Sequence, residues 1–425
     1  MLTFINILEM EVWGKTDFNE WIASGCPEIT HVKTLALQSN TQSTLPDMFG
    51  NLLSVETIYL SGNGLTTLPE SICKMPNLRH LHLQSNKISE LPESIGNLEN
   101  LEYINVEDNY LSSLPESFQR LKKLRFLHIE YNQFTSIPDF IGTLENLRYI
   151  DCSNNKLTVL CEFDRLVNLK AINAAHNKLT VVPASIGALE NLTHLYLDNN
   201  NISRLPDTIV YLTSLRYASF EKNHLTRLPD SFANLTSIEW LNLSRNALVS
   251  LPDNFDNLER LATLYAEFNN LTCLPERFGD LIGLNTLHLG DNNLSCLPES
   301  FGDLTYLVVL ILDNNPNLTE FPESIGQLPR IRRFNARACN VKSLPESFAS
   351  LPPFTIVCIG NNFPSHYTTV AEYVMFSSFV KKMNVKKRVC AENFIRNWVI
   401  QTVENPNTPI GRRRKMKEYE ELFNG

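Results

Sequence analysis

An asparagine in the frame LxxLxLxxN recurs along this chain at nearly constant spacing, and that recurrence limits the fold more than any other feature. The series runs Asn40, Asn63, Asn86, Asn109, Asn132, Asn155, Asn177, Asn200, Asn223, Asn246, Asn269, Asn292 and Asn315. Cys339 takes the same place in IRRFNARAC and Asn362 closes the series, which makes fifteen units. The step is 23 residues except for 22 between Asn155 and Asn177 and 24 between Asn315 and Cys339. A unit this short cannot bury its own apolar face, so units must stack.

The positions within a unit follow from simple chemistry. In LxL the two leucines alternate with the residue between them, so a short strand turns both inward. Strands of successive units then lie side by side as a parallel sheet. A buried asparagine amide must find partners, and its two donors and one acceptor suit the backbone of adjacent turns. Stacked asparagines therefore form a ladder, in which the thiol of Cys339 is a weaker donor. After the ladder comes LPESF or LPDSF, with proline at thirteen recurrent positions from Pro46 to Pro345. Proline fixes φ and suits an extended turn or the first residue of a short helix. The Phe or Ile three residues on, such as Phe118, Ile186 and Phe301, is expected to pack as a second spine. The blocks between strands have room only for short helical or 3₁₀ turns.

These motifs resemble the intracellular 23-residue leucine-rich-repeat class, the type found in Ras-associated scaffolds and in many bacterial repeat proteins. The resemblance covers about residues 32 to 364. It implies an α/β solenoid: a curved horseshoe with a parallel β-sheet on its concave face. It also implies a protein-binding role, since members of the class mostly bind proteins. Two units depart from the pattern. The sixth lacks one residue and has Cys161 in place of the proline, and the thirteenth, NNPNLTEFP, carries one residue extra. Each is either a bend or a slip absorbed in a loop, and the loop is the simpler expectation.

A solenoid exposes apolar edges at its ends, so helical caps are expected at both. Residues 1–31 hold Trp13, Phe18, Trp21 and Ile22, with Asp17 and Glu20 as a capping box. In residues 365–425, VAEYVMFSSFVKKM and VCAENFIRNWVIQTV have amphipathic spacing. This last segment holds 11 Lys+Arg and 6 Asp+Glu, a net of +5 within a chain of net −9. The basic run Arg412, Arg413, Arg414, Lys415 and Lys417 reads as a solvated tail attracted to the acidic solenoid. Anionic lipid, nucleic acid or an import receptor are its alternative targets.

The compartment expected is a reducing one. The nine cysteines are odd in number, contain no CxxC pair and do not cluster beside the repeats. MLTFINILEMEVW carries Glu9 and Glu11 and no basic residue before its apolar run, which makes a poor signal peptide. The N-x-S/T tripeptides at seven asparagines fall out of the repeat consensus. No apolar run reaches the roughly 18 residues of a membrane span. The acidic balance disfavours nucleic acid as a general partner. A cytoplasmic protein is the expectation, or one secreted into a host cytoplasm.

Function is sought where side chains are free to vary, at the strand positions before, between and after the inward leucines. There the sequence places an aromatic stripe from the third unit to the tenth beside an acidic one. The candidate binding residues are His80, His82, Tyr103, Phe126, His128, Glu130, Tyr149, Asp151, His194, Tyr196, Asp198, Tyr217, Glu221, Trp240, Tyr265 and Glu267. With strands about 4.8 Å apart the stripe would run roughly 35 Å, enough for a helix or an extended peptide. Exposed aromatics supply hot spots, and carboxylates beside them favour a basic partner. Cross-strand stacking also stabilises a sheet without any ligand, so part of this pattern is structural.

Catalytic chemistry finds little support. His80, His82, Glu107 and His128 share one face, yet same-face neighbours about 7 Å apart are too far for a tight zinc chelate, and ordinary polar surface is the simpler reading. EVWGKT has Glu9 where a phosphate loop needs glycine. Asp151 lies near His128 with no nucleophile placed by a motif. Cys273 and Cys296 take equivalent places in adjacent units and read as two partly buried thiols within possible disulfide reach. Cys358 reads as an outward, reactive thiol. No catalytic residue, metal or cofactor is assigned. The expected function is a non-enzymatic scaffold or regulatory adaptor. The alternatives are a bacterial effector or sensor gripping a host protein by the same face, and an enzyme with its activity in the C-terminal tail.

Overall fold

The computed structural model describes residues 11–39, 43–351 and 355–357. The expected C-terminal helices and basic run, the ladder positions Asn40 and Asn362, and Cys358 lie outside the described residues. Among the described residues sixteen strands form one sheet, every strand parallel to the next and in chain order. They are β1 Val12–Trp13, β2 Thr34–Ala36, β3 Thr57–Tyr59, β4 His80–His82, β5 Tyr103–Asn105, β6 Phe126–His128, β7 Tyr149–Asp151, β8 Ala171–Asn173, β9 His194–Tyr196, β10 Tyr217–Ser219, β11 Trp240–Asn242, β12 Thr263–Tyr265, β13 Thr286–His288, β14 Val309–Ile311, β15 Arg333–Asn335 and β16 Thr355–Val357. The central residue of each strand from β2 to β15 points inward and is buried, as Leu81, Ile104 and Leu127 are. Each leucine, isoleucine or phenylalanine among them contributes roughly 2 kcal/mol of hydrophobic stabilisation.

The asparagine ladder is present and its geometry repeats. Asn109 donates from Nδ2 to the carbonyls of Leu83, 3.0 Å, and Val106, 3.1 Å. Its Oδ1 accepts the amide of Ile88 at 2.9 Å. One side chain thus closes its own turn and ties it to the turn before. Cys339 keeps the donor half, with Sγ 3.3 Å from the Leu312 carbonyl. Thiol and amide differ at the acceptor: Leu318, whose amide would meet the next ladder oxygen, donates instead to the Asn315 carbonyl at 3.1 Å.

Among the described residues, the one before each ladder position adopts left-handed backbone. From Ser85 to Asn314 its φ lies between 52° and 58°, and in the second unit it is Gly62 at 68°. This kink ends the strand and turns the asparagine inward. None of the residues found there is β-branched, as the crowding of Cβ against the backbone requires.

On the side opposite the sheet, thirteen short 3₁₀ turns occur among the described residues. Most of the prolines stand just before them in extended backbone, for example Pro115 at φ −66°, ψ 149°. The Phe and Ile spine is fully buried. Phe255, Phe278 and Phe301 stack in parallel with centroids 6.3 Å apart. That is wider than the strand spacing of about 4.8 Å, so each unit is a wedge and the sheet lines the concave side.

Both irregular units are absorbed outside the strands. Tyr149 pairs with Ala171 and Val309 with Arg333, so the sheet runs on through steps of 22 and 24 residues. The shortened sixth unit has no 3₁₀ turn between β7 and β8, and the thiol of Cys161 is buried in its place. At the N-terminal end, helix α1 (Lys15–Ala23) buries Phe18 and Trp21, and Phe18 meets the spine at Phe49 edge-on, 5.7 Å between centroids. Ile22 is partly buried against the same core. The helix starts earlier than the sequence suggested. Gly14 is its N-cap, and Asp17 sits at the third helical position, accepting the Gly14 amide at 2.8 Å. Asp17 therefore supplies the returning half of a capping box, and Gly14 has no side chain for the other half.

Two substitutions test these constraints. Asn200→Leu would strand the amide of Leu179 and leave the carbonyls of Ala174 and Leu197 with one donor each, from Asn177 and Asn223, and should cost about 2 kcal/mol in denaturant unfolding. Lys222→Val, at φ 54°, should cost about 1–2 kcal/mol without removing any core contact. A Lys222→Ala control would separate lost side-chain contacts from the backbone effect.

Candidate functional site

The strand positions flanking each inward residue form the concave face, and rings there meet across neighbouring strands. The first platform covers β3 to β7. Tyr59 stacks on His82 at 4.5 Å, His82 lies 4.6 Å from Tyr103, Tyr103 is 5.4 Å from His128, and His128 is 4.9 Å from Tyr149. Phe126 joins its edge, 6.1 Å from Tyr103, and remains 36% exposed. Here the expected continuous stripe is corrected. At β8 the face carries Ala171, Asn173 and Ala175, and no ring spans the gap. A second platform begins with His194 stacked on Tyr217 at 4.7 Å, with Tyr196 beside it. Trp240, Tyr265 and His288 continue it at 5.8 and 4.8 Å.

The acidic stripe is corrected as well. Glu130 is 8% exposed and Asp151 7%, although alternation turns both away from the core. Outward on a crowded sheet is not the same as exposed, because large rings on adjacent strands shield shorter groups between them. Asp151 is committed to structure. It accepts hydrogen bonds from the Tyr149 hydroxyl at 3.1 Å, Asn173 Nδ2 at 2.8 Å and the Ser153 amide at 3.0 Å. Asn105, Asn173, Asn242 and Asn335 likewise each accept the amide two residues on. Asn or Asp at this position closes the strand end, while His or Tyr leaves the side chain free to stack.

His128 pairs with Glu130, Nδ1 to Oε1 3.2 Å, rather than with Asp151. The second oxygen of Glu130 is buried and has no hydrogen-bond partner. Burial pushes the Glu130 carboxyl above the usual range against the opposing bond from His128. In the second platform Asp198 accepts the Ser219 hydroxyl and, at 2.9 Å, the Glu221 amide, and burial raises its pKa too. Glu221 accepts Asn242 Nδ2 at 2.9 Å, and Glu267 lies 2.7 Å from His288 Nδ1.

His82 is sandwiched between two tyrosines, which accounts for its side chain without a metal. No group of three His, Cys, Asp or Glu side chains among the described residues could hold a metal ion. The thiols of Cys273 and Cys296 are free and exposed, not partly buried, and they border one groove of about 240 Å³. No helix among the described residues is long and apolar enough to cross a membrane.

Two features escaped the sequence reading. Tyr59 extends the first platform by one strand, and its signal was present, since it stands between Ile58 and Leu60 as His82 stands between leucines. The other is a row of charges just before the strands. Lys33 pairs with Glu56 at 2.7 Å, Arg79 and Arg125 flank Glu102 at 3.1 and 3.5 Å, and Arg216 meets Glu239 at 3.2 Å. Such exposed pairs stabilise little and mainly align neighbouring units.

With this geometry in place the chain can be compared with known proteins. A family model described as a leucine-rich repeat region matches residues 70–174 and 150–271. Two further leucine-rich-repeat models match residues 30–88 and 283–304. A solved leucine-rich-repeat protein of Leptospira interrogans is 30% identical, with a TM-score of 0.71 over 81% of this chain and 82% of that one. The chain belongs to the leucine-rich-repeat family. Such repeats generally mediate protein–protein interaction. Two more distant structures, both 24% identical, share the leucine-rich-repeat fold. The Drosophila Toll–Spatzle complex has a TM-score of 0.69 over 79% of this chain and 48% of that one. The plant peptide hormone receptor RGFR1 in complex with RGF2 has a TM-score of 0.57 over 79% and 64%. No curated protein sequence matches.

Burial holds the His82 imidazole down to about 4, with the like charges of His80 and His128 adding to the effect. A folded pKa below the unfolded value of about 6.5 means the native state binds fewer protons. Its contribution is therefore present above pH 6.5 and is lost as pH falls through 4. Glu130 and Asp198, with raised pKa values, act in the opposite direction, so the His82 effect must be isolated. NMR titration of the His82 ring should give a midpoint near 4, and His82→Phe should flatten the stability loss between pH 6.5 and 4. A midpoint near 6.5 would place the ring in water.

Proposed function

We propose that this protein is a non-enzymatic scaffold or regulatory adaptor in a reducing cytoplasm, gripping a protein or peptide partner across its concave face. The reading rests chiefly on one observation: two aromatic platforms lie half-buried on a rigid sheet, with carboxylates set between their rings. Large rings at partly desolvated positions are what binding hot spots are made of. The carboxylates Glu130, Asp198, Glu221 and Glu267 favour a partner that brings a basic segment. The protein and peptide complexes of the Drosophila and plant structures support this role by likeness of fold. An effector or sensor gripping a host protein would use the same face, and only the identity of the captured protein separates the two. The anionic-lipid contact and a tail-borne activity fall on residues outside the described structure.

Affinity capture with the full chain tests the face. Tyr149→Ala, Tyr217→Ala and Trp240→Ala should each weaken capture of a shared partner by about tenfold, in the range of single hot-spot truncations. Circular dichroism would confirm that the variants remain folded. Undiminished capture by all three would move the site off this face.

A further inference from the structure

One group on the concave face has hydrogen-bonding capacity that the fold does not use. Glu130 is 8% exposed and alternates outward from the inward pair Leu127 and Ile129. Its Oε1 lies 3.2 Å from His128, whereas its Oε2 is buried without a partner. A buried acceptor left unpaired is destabilising, and a bound donor would remove that cost. Around it stand Tyr103, His128 and Tyr149, with successive centroids 5.4 and 4.9 Å apart. Aromatic faces beside a carboxylate attract cations. Asp151, one strand along, adds negative charge, while its own oxygens already accept three hydrogen bonds.

We propose that Glu130, Tyr103, His128 and Tyr149 form a subsite for one lysine side chain of the partner, its ammonium bonding to Glu130 Oε2 among the three rings. This rests on the concave-face reading above and names the chemistry the first platform would recognise. The choice of lysine follows from the count of free acceptors. A guanidinium is satisfied by two carboxylate oxygens side by side, and here one is taken by His128. A compact ammonium needs only the other, with the rings covering its remaining surface. The Tyr103 side chain, only partly buried and with its hydroxyl 3.5 Å from Asn105 Nδ2, is the part that shifts to admit it, so His128 keeps its bond to Oε1. Burial raises the Glu130 pKa, and an ammonium at Oε2 would oppose that shift by favouring the ionised carboxylate.

The test is calorimetric titration of the full chain at about 150 mM salt, where surface attraction is largely screened. The probes are decalysine, decaarginine and deca-(Nε-acetyl)lysine. Glu130→Gln should weaken decalysine by about tenfold relative to Glu190→Gln, an exposed control. The acetylated peptide should not bind, and decaarginine should be insensitive to Glu130→Gln. Equal weakening by Glu130→Gln and Glu190→Gln overturns the subsite, and equal sensitivity of the two cationic peptides overturns the lysine assignment. A Tyr217→Ala/Trp240→Ala variant keeps the two levels apart. If it weakens decalysine while Glu130→Gln does not, the concave-face reading stands and the subsite falls. If neither variant has an effect, both fall. Circular dichroism of Glu130→Gln, with Glu130→Asp as a second variant, separates lost binding from lost fold.

Discussion

The rest of the molecule depends on one side-chain amide used many times. From Asn86 to Asn315 each ladder asparagine gives both its donors and its acceptor to backbone groups of two consecutive turns. Those groups are buried, where an unpaired amide or carbonyl is costly. The ladder therefore fixes the phase of every unit against the last. It also explains why the kink before it recurs in left-handed backbone from unit to unit, because only that turn brings the amide inward. Cys339 shows how much of the requirement is donor and how much acceptor. The thiol still reaches the Leu312 carbonyl, and the displaced amide of Leu318 finds its own turn instead.

A backbone held so tightly confines variation to a few outward positions, and this sets what could be read beforehand. Ladder, proline and spine positions are legible because each answers to a local rule: a buried amide, a fixed φ, an apolar side chain of suitable volume. The inward leucines follow from alternation alone. Burial on the concave face does not follow from such rules. Whether Glu130 is wet depends on Tyr103 and Tyr149, residues 27 and 19 positions away in sequence but adjacent across the sheet. The helix start at Gly14 was missed for a related reason, since the pattern identified the acidic partner of the cap and not the backbone it serves.

The face itself is a compromise between two uses of one position. Where the residue between the inward pair is Asn or Asp, it closes the strand end and its oxygen is consumed. Where it is His or Tyr, the strand end forgoes that bond and a ring becomes available to stack on its neighbour. The alternation of these choices along the sheet decides where a partner can find aromatic surface.

That choice divides the concave face. β8 offers Asn173 in its structural role with Ala171 and Ala175 on either side, so the rings of β7 and β9 are separated by about 10 Å, two strand spacings. The ladder holds the units in phase, so the gap cannot be closed by sliding one platform toward the other. A partner lying across the sheet thus meets two separate anchoring areas with small side chains between them, where its own backbone or a bulky residue can approach closely. The first area contains the only buried carboxylate oxygen among the described residues that lacks a hydrogen bond. In the second, every named carboxylate already has a neighbouring donor in Ser219, Asn242 or His288. The two platforms resemble each other in shape and differ in electrostatic demand, so a partner gains most by placing its cation at the first and apolar surface at the second.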